Sequence, residues 1–425
     1  MKQLGNLCLE IVNRVTIPLL LVIAFWQLRH TFYFSELNGQ FFEYGSLHVY
    51  ASDMVAVLFL LLLFVAGIKW WTRPERVPLP IWNLGWIIIG WFLLTTSWSQ
   101  DWRVSLMTAV EWGLWALVAA GLVSLGVAYW KQLKWLIVGA LVATGFGIYQ
   151  YWVNKSVGWD WLGESVLNPL MPGVVVVIDE GVRRLRAYGL MPHPNIFSGV
   201  EVGVLSGILV WVSKTHRGLK WWGLAVPILI AGLVWGFSKS AIMVMGIVLV
   251  GVGIYLWRNR YHQPRRIWIL MVATLGLLLV ANQGVVLERF NPVSNIEVRS
   301  YSERIAGLHE WRDLDVGWLW GAGVGNYTLQ LASLYPDRQV WEIQPVHNAT
   351  LLLIREIGLI GIGLIGWWLW LLGSWLWKNK NKILLAVPFM VWLLLGVVDH
   401  WTVSLHQGLV MLFLALALIF TEVDV

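Results

Sequence analysis

Runs of apolar residues alternate along the chain with short polar segments, and most runs have the ~20 residues that a helix needs to cross ~30 Å of hydrocarbon. The pattern predicts an all-α polytopic membrane protein with about twelve transmembrane helices, forming a single integral membrane domain over residues 1–425. The runs lie near residues 12–28, 48–68, 81–98, 105–126, 132–153, 193–212, 221–237, 239–257, 267–285, 349–376, 383–398 and 404–420.

Lysine and arginine residues concentrate in every second short connection, which predicts that these connections are cytoplasmic. Both termini are then cytoplasmic, and two long connections, 154–192 and 286–348, lie on the outer face. The connection 286–348 is too long for a simple link, so we expect it to fold into short helices over the membrane, before a late span. The positive groups are Lys69, Arg73 and Arg76; Lys131 and Lys134; Lys214, Arg217 and Lys220; Arg258, Arg260, Arg265 and Arg266; and Lys378, Lys380 and Lys382.

Composition agrees with this pattern, because 58% of the residues are hydrophobic, only 13% are charged and the mean hydropathy is +0.67. Such values exclude a soluble domain. The net charge of +6 resides largely in the loops and does not indicate nucleic acid. The single cysteine, Cys8, excludes an intramolecular disulfide and a metal site built from cysteines.

The chain contains 32 tryptophans, many of them at the ends of apolar runs. This placement is typical of an aromatic belt at the two membrane interfaces. A second interpretation applies to the tryptophans of the long outer connection, which could stack on carbohydrate. They are Trp311, Trp318, Trp320 and Trp341.

Polar residues at the outer boundary of the sixth run form a first candidate group. Arg186 precedes the run, and Pro194 and Asn195 suit the first turn of a helix. The group is either an interfacial anchor with a helix cap or a site where arginine and a helix N-terminus bind an anion such as phosphate.

Two further cations lie on the predicted outer side. Lys239, between Ser238 and Ser240, either extends to the interface or faces an outward-open cavity and binds an anion. Arg304 lies in a segment with helical character, Ser300 to Trp311, which is either a solvated amphipathic helix or part of the site.

His347 and Asn348 form a polar pair where the long connection re-enters the membrane. Such a pair is costly at a membrane boundary unless it is used or well paired. A lone histidine at a helix start is usually a cap or an interface residue. Beside several outer arginines, however, His347 becomes a candidate for chemistry at the membrane surface.

Acidic residues in or near the apolar runs are candidate functional groups or partners of buried cations. They are Asp53, Glu111, Glu201, Glu356 and Asp399. We expect Glu201 and Glu356 to orient the arginines or His347, whereas the sequence suggests no role for Asp399 and His400. No metal-ligand spacing stands out, so the sequence predicts no metal and no cofactor, and a reaction on a diphosphate would use arginine and lysine.

These motifs together resemble those of the O-antigen ligase and O-antigen polymerase superfamily (WaaL/Wzy-type) of membrane glycosyltransferases. The ligase motif is a histidine, then Asn, Ser or Gln, nine residues and Gly-x-x-Gly, and the segment from His347 to Gly361 fits every fixed position. Arg304 with the glycine-rich segment 321–327 looks like the family's loop pattern. Arg186 through Asn195 looks like its earlier motif. The resemblance covers residues from about 180 to 400 in motifs and the whole chain in topology.

One position departs from the family pattern. Members commonly have Ser-Arg-Ser or Ser-Arg-Gly at the middle hairpin, where this chain has Ser238-Lys239-Ser240. Lysine keeps the positive charge but lacks the bidentate fork of arginine, which affects how tightly a diphosphate would be held.

The resemblance implies transfer of a glycan from undecaprenyl diphosphate to an acceptor hydroxyl on the periplasmic face of the cytoplasmic membrane, without a metal and with inversion. It implies that Arg186, Lys239 and Arg304 bind the diphosphate, that His347 deprotonates or orients the acceptor, and that Arg304 also takes part in catalysis. The supporting residues would be Asn348, Glu356, Glu201 and Asn195.

The acceptor stays open between a lipid A core sugar for a ligase, a lipid-linked glycan for a polymerase and a protein hydroxyl for an oligosaccharyltransferase. A rival function of another class is transport of an anionic solute, which would need polar residues at mid-depth and on the cytoplasmic side. A structural membrane protein is the third alternative, and it leaves the candidate residues unexplained.

Overall fold

The computed structural model describes residues 2–215, 222–259, 262–291 and 295–421, and this part of the chain is mostly helical. The positive residues Arg217, Lys220 and Arg260, together with the start of the run 221–237, lie outside the described residues. The α-helices are α1 (Lys2–Ile11), α2 (Ile17–Ile23), α3 (Ala51–Val65), α4 (Leu79–Thr95), α5 (Trp102–Leu125), α6 (Val127–Val153), α7 (Pro194–Thr215), α8 (Trp222–Trp235), α9 (Lys239–Arg258), α10 (His262–Ala281), α11 (Gln283–Phe290), α12 (Asn295–Asp313), α13 (Tyr327–Leu334), α14 (Ala349–Lys378), α15 (Val387–Val398), α16 (Trp401–Ser404) and α17 (His406–Phe420).

Each of the twelve predicted apolar runs contains a helix in the described residues. In the described residues, eight helical segments are long and apolar enough to cross a membrane: Gln3–Ile23, Trp102–Leu125, Gln132–Val153, Pro194–Ser213, Lys239–Arg258, Pro264–Ala281, Ala349–Lys378 and Lys380–Val398. Four further apolar helices, Ala51–Val65, Leu79–Thr95, Gly223–Trp235 and His406–Phe420, are shorter. The prediction of an all-α, multi-pass membrane protein is therefore confirmed, whereas the count of twelve spans stays a prediction.

Within the described ranges, sheet is confined to three two-stranded antiparallel pairs outside the long helices. Strands β1 (Arg29–Tyr33) and β4 (Leu47–Tyr50) pair between α2 and α3, and β2 (Glu36–Leu37) pairs with β3 (Gln40–Phe41) at their tip. Strands β5 (Val176–Asp179) and β6 (Val182–Leu185) pair in the connection 154–192. The connection 286–348 contains α12, α13 and a 3-10 turn, Val340–Glu342, whereas its position on the outer face of the membrane stays a prediction.

Helix α17 is the innermost helix of the bundle. Every residue from His406 to Phe420 is buried, and the helix packs against α5, α15 and α16. A helix buried on all sides gains nothing from a polar face, so its sequence is apolar all round. The burial of α17 explains why so short an apolar run is stable here.

Helix α14 is interrupted at Gly358, where the backbone φ is +69°. A side chain at Gly358 would overlap the carbonyl oxygen of Leu319, because the segment 317–325 crosses the helix at this point. The amide nitrogens of Ala322 and Gly323 donate to the carbonyl oxygens of Arg355 and Glu356, at 2.7 and 2.9 Å. The first glycine of the Gly-x-x-Gly pair therefore allows the glycine-rich turn to dock on the helix that starts after His347.

Candidate functional site

Most of the candidate residues converge at one end of the bundle, where α7, α9 and α14 begin and α15 ends. Pro194 is the first residue of α7, as its fixed φ favours. The carbonyl oxygens at the end of α15 and the amide nitrogens at the start of α14 face the same region. Residues from four helices can therefore contact one another there.

His347 contacts Asp399, a residue to which the sequence assigned no role. The Nδ1 atom of His347 lies 3.4 Å from Oδ1 of Asp399. The same oxygen accepts a 2.9 Å hydrogen bond from the backbone nitrogen of His400. The Asp399 side chain is 8% exposed, and that of His347 is 27% exposed. The pair therefore combines a buried carboxylate with an imidazole that remains accessible.

The histidines around Asp399 determine its charge. Burial by itself would raise the pKa of the Asp399 carboxyl, but the hydrogen bond from His347 and the charges that His400, His347 and His193 carry once protonated in acid hold that pKa well below its usual range. Burial lowers the pKa of His193 to about 3 and that of His400 to about 4. Asp399 is thus ionised, and these two buried histidines are neutral, at neutral pH.

Arg186 is joined to the same carboxylate through Asn195. The Arg186 side chain is buried, and its Nε donates to the carbonyl oxygen of Gly236 at 2.6 Å. Its Nη2 donates to Oδ1 of Asn195 at 2.7 Å, and Nδ2 of Asn195 lies 3.4 Å from Oδ2 of Asp399. A continuous polar chain, Arg186–Asn195–Asp399–His347, therefore connects the predicted anion-binding group with the predicted catalytic histidine. We call it the polar chain below.

Arg304 and Lys239 lie beside this polar chain. The Nη1 atom of Arg304 donates to the carbonyl oxygen of Val398 at 3.4 Å, next to Asp399. The Nζ atom of Lys239 lies 5.0 Å from the centre of the Tyr301 ring, one turn before Arg304 on α12. Both side chains are partly exposed. The structure therefore brings the three predicted cations to one region.

Asn348 fixes the start of α14 against the end of α15. Its Oδ1 accepts a 2.9 Å hydrogen bond from the nitrogen of Leu351, so it is the N-cap of the helix. Its Nδ2 donates to the carbonyl oxygen of Val397 at 2.8 Å. Asn348 thereby holds His347 close to Asp399, which is the supporting role that the motif implied.

Glu201 and Glu356 have other partners. Glu201 is fully buried in α7 and accepts a 2.8 Å hydrogen bond from Oγ1 of Thr144 in α6. Glu356 accepts hydrogen bonds from the backbone amides of Gly325 and Tyr327. Glu201 thus joins two helices and Glu356 secures the glycine-rich turn, so both act at a distance from the polar chain.

The loop tryptophans divide into two kinds. Trp311 and Trp318 stack on the guanidinium of buried Arg355, with ring centres 4.7 and 4.0 Å from its Cζ, and Nε1 of Trp311 donates to the carbonyl oxygen of Leu351. These contacts give both rings a packing role. Trp318, Trp320 and Trp341 are each about half exposed, and the Trp320 ring also stacks on Trp91 with ring centres 5.8 Å apart. The exposed ring of Trp341 offers the surface that stacking on a sugar requires.

The fold also assembles a possible set of metal ligands that sequence spacing did not indicate. Ligand atoms of His347, Asp399 and His400 lie within 4.8 Å of one another. Two imidazoles and a carboxylate suit a first-row transition metal such as zinc. The Nδ1 atom of His400 is 2.7 Å from Oγ of Ser404, a contact that fixes the ring. Transfer without a metal thus stays a prediction.

A large apolar cavity borders the site. Its volume is about 440 Å³, and it is lined by side chains of α4, α5, α14, α15 and α17. Ala349, Thr350 and Val397, which adjoin the polar chain, line one end, and Phe420 lines the other. The cavity thus extends along α17 from Leu412 to Phe420 and can hold a long apolar chain whose polar end lies near His347.

Comparison with known proteins adds nothing to this geometry. No protein-family model matches the chain, and no match to a curated protein was found. The interpretation of the site therefore depends on its own residues and on the motifs.

Proposed function

We propose that this protein transfers a glycan from undecaprenyl diphosphate to an acceptor hydroxyl, as a member of the O-antigen ligase and polymerase superfamily. The observation that carries the proposal is the polar chain from Arg186 to His347. It combines the two things the reaction requires, a cationic region for a diphosphate and a base for a hydroxyl, at one end of an apolar bundle.

The proposed topology has twelve membrane crossings, including the four shorter helices, with both termini in the cytoplasm. The positively charged connections follow α3, α9 and α14 at the ends that point away from the polar chain. By the positive-inside rule, the polar chain then lies on the periplasmic face of the cytoplasmic membrane. The long connection 286–348 lies on that face as well.

In the proposed reaction, His347 takes the proton of the acceptor hydroxyl. Its Nδ1 faces Asp399, which leaves Nε2 for the acceptor. The acceptor oxygen bonds to the anomeric carbon as the bond from that carbon to the diphosphate oxygen breaks, and the diphosphate leaves with the electron pair. Asp399 stabilises the imidazolium that forms. A single displacement inverts the anomeric centre.

Cations support the departure of the diphosphate. Arg186, Lys239 and Arg304 lie at the same end of the bundle as His347, and Arg186 is held rigidly by Gly236 and Asn195. Preorganised positive groups stabilise the negative charge that develops on a leaving group. This arrangement would supply the electrostatic stabilisation from side chains alone.

The apolar cavity supports a lipid-linked donor. An isoprenoid chain needs an apolar path that ends beside the reacting atoms, and the cavity runs from Phe420 to Ala349, two residues after His347. The same lining disfavours transport of an anionic solute, because a charged solute would have to pass a surface without charged side chains. A ligase, a polymerase and a protein O-oligosaccharyltransferase all share this chemistry.

The test is transfer in vitro from a purified undecaprenyl-diphosphate glycan by the full chain in nanodiscs, with and without EDTA. Wild type should release lipid diphosphate and form product in both conditions, and His347→Ala should be inactive although folded. His309→Ala, which changes an exposed histidine of α12, is the matched control. Full activity of His347→Ala would remove the proposed base. No turnover by folded wild type with any lipid-linked donor would favour transport, which flux assays in liposomes would then measure.

A further inference from the structure

A second group of titratable side chains lies where α3, α5 and α17 meet, and the proposed transfer does not use it. Asp53 is in the first turn of α3, Glu111 is in α5, and His406 is the first residue of α17. Their side chains are 8%, 17% and 0% exposed. The group therefore lies inside the bundle, at the same end as the polar chain.

Ligand atoms of the three side chains lie within 4.8 Å of one another. The Nδ1 atom of His406 lies 2.7 Å from Oε1 of Glu111 and 3.7 Å from Oδ1 of Asp53. Nitrogen and oxygen ligands of one tetrahedral zinc ion are roughly 3.4 Å apart, given metal–ligand distances near 2.1 Å. The two separations from His406 lie on either side of that value, and the two carboxylate oxygens lie within 4.8 Å of each other, so small rotations would bring all three atoms into a zinc coordination sphere.

Outer contacts fix two of these ligands, His406 and Asp53. Nε2 of His406 is 2.7 Å from Oγ of Ser52, and the Tyr50 ring stacks on the imidazole with centres 3.9 Å apart. Oδ1 of Asp53 accepts a hydrogen bond from Nε1 of Trp115 at 3.0 Å, and Oδ2 accepts one from the backbone nitrogen of Tyr50. Metal-binding histidines and carboxylates are commonly held by such second contacts.

The charges of the group can be balanced by protons or by a cation. His406 either donates from Nδ1 to Oε1 of Glu111 and accepts from Ser52 at Nε2, or it donates from Nε2 to Ser52 and presents the lone pair of Nδ1 to the two carboxylates. The second arrangement is repulsive unless a proton or a cation lies between them. With both carboxylates ionised, a protonated imidazole would still leave one net negative charge. The nearby Arg29 makes two hydrogen bonds to Glu43, so its charge is already balanced. Burial makes an uncompensated charge costly.

We propose that Asp53, Glu111 and His406 bind a divalent transition metal ion of the zinc type. Two carboxylates and a divalent ion, with a neutral imidazole, give a net charge of zero. One nitrogen and two oxygen ligands suit zinc, with a fourth position for water. The ion would join α3, α5 and α17, and thereby hold the innermost helix of the bundle.

The experiment measures zinc binding to the full chain in nanodiscs after removal of metals by a chelator. Equilibrium dialysis against low micromolar Zn²⁺, followed by elemental analysis, should give one more bound ion in wild type than in Glu111→Gln. Zn²⁺ should also raise the Tm of wild type more than that of Glu111→Gln. Ser52→Ala, which removes only an outer contact, should weaken binding about tenfold.

His400→Ala separates this site from the possible ligand set at His347, because it removes a ligand of that set alone. It should keep the zinc-dependent rise in Tm. Equal zinc content and an equal Tm rise in wild type and Glu111→Gln would overturn the proposal, as would wild type that binds no zinc. If Glu111→Gln fails to fold, the affinity of Ser52→Ala decides: an affinity equal to that of wild type contradicts the site. None of these measurements depends on glycan transfer.

Discussion

Oδ1 of Asp399 lies 3.4 Å from Nδ1 of His347, although the two residues are 52 positions apart in the chain. Asn348 maintains this contact by capping α14 and bonding to the end of α15. Because of this contact, the imidazole of His347 is oriented to act as a base, and the buried carboxylate of Asp399 lies next to its Nδ1 atom. It also places Asp399 between His347 and Asn195, and so between the base and the cationic region.

The anion of Asp399 should be required for the rate of transfer. Asp399→Asn keeps the size of the side chain but removes the charge that stabilises the imidazolium of His347. We expect kcat to fall about 10²-fold or more, the usual contribution of general acid–base catalysis, with a smaller change in donor KM. Initial rates in nanodiscs measure both. An unchanged kcat in folded Asp399→Asn would show that His347 acts without this carboxylate.

Arg304 should contribute to donor use through its charge and its shape. Arg304→Ala should lower kcat/KM for the lipid-linked donor by about 10- to 100-fold, as expected for a lost charge-assisted hydrogen bond of about 1.5–3 kcal/mol. Arg304→Lys should be less impaired because the charge remains. Arg299→Ala, an exposed arginine on the same helix, is the control and should behave as wild type. Wild-type rates in both Arg304 variants would place Arg304 outside the site.

Gly358 should be intolerant of a side chain. Its φ of +69° is strained for alanine, and a Cβ would overlap the Leu319 carbonyl oxygen. We expect Gly358→Ala to destabilise the protein by at least about 1–3 kcal/mol, the cost of a left-handed backbone alone. Gly363→Ala is the matched control, because no atom lies within 4 Å of its added Cβ. Thermal unfolding of the two variants measures the difference, and equal Tm values would refute the close docking of 317–325.

Acid should destabilise the fold through its buried histidines. His400 has a pKa of about 4 in the folded protein and His193 a pKa of about 3, against about 6.5 when unfolded. Between pH 6.5 and those lower values the unfolded chain binds more protons, so stability falls as pH falls. Tm measured from pH 7.5 to 4.5 should show this loss.

His400→Gln is the variant that tests this assignment, since it removes one titrating group. Its Tm should depend less on pH over the same range than that of wild type. Asp399 should not contribute there, because its pKa is low and it loses its charge only in stronger acid. An identical pH dependence in His400→Gln and wild type would exclude His400 as a source of acid sensitivity.

Much of the fold and part of the site could be predicted from the sequence. Apolar runs predicted the long helices, since hydrophobicity and length are local properties of the chain. Pro194 and Asn348 mark helix starts for the same reason, because a cap acts within one turn. The candidate cations and His347 could be selected because polar side chains at a membrane boundary are costly.

Only the tertiary structure decided which of these residues meet. The contact of His347 with Asp399, the packing of Trp311 and Trp318 on Arg355, and the meeting of Asp53, Glu111 and His406 join residues far apart in sequence. Such contacts depend on how helices pack, and helix packing is set by side-chain shapes on several helices at once. The sequence by itself therefore determined the helices and the polar residues at their ends. The packing of the helices decided that Asp399 contacts His347. It also decided that Glu356 binds the backbone amides of the glycine-rich turn and does not contact the arginines or His347.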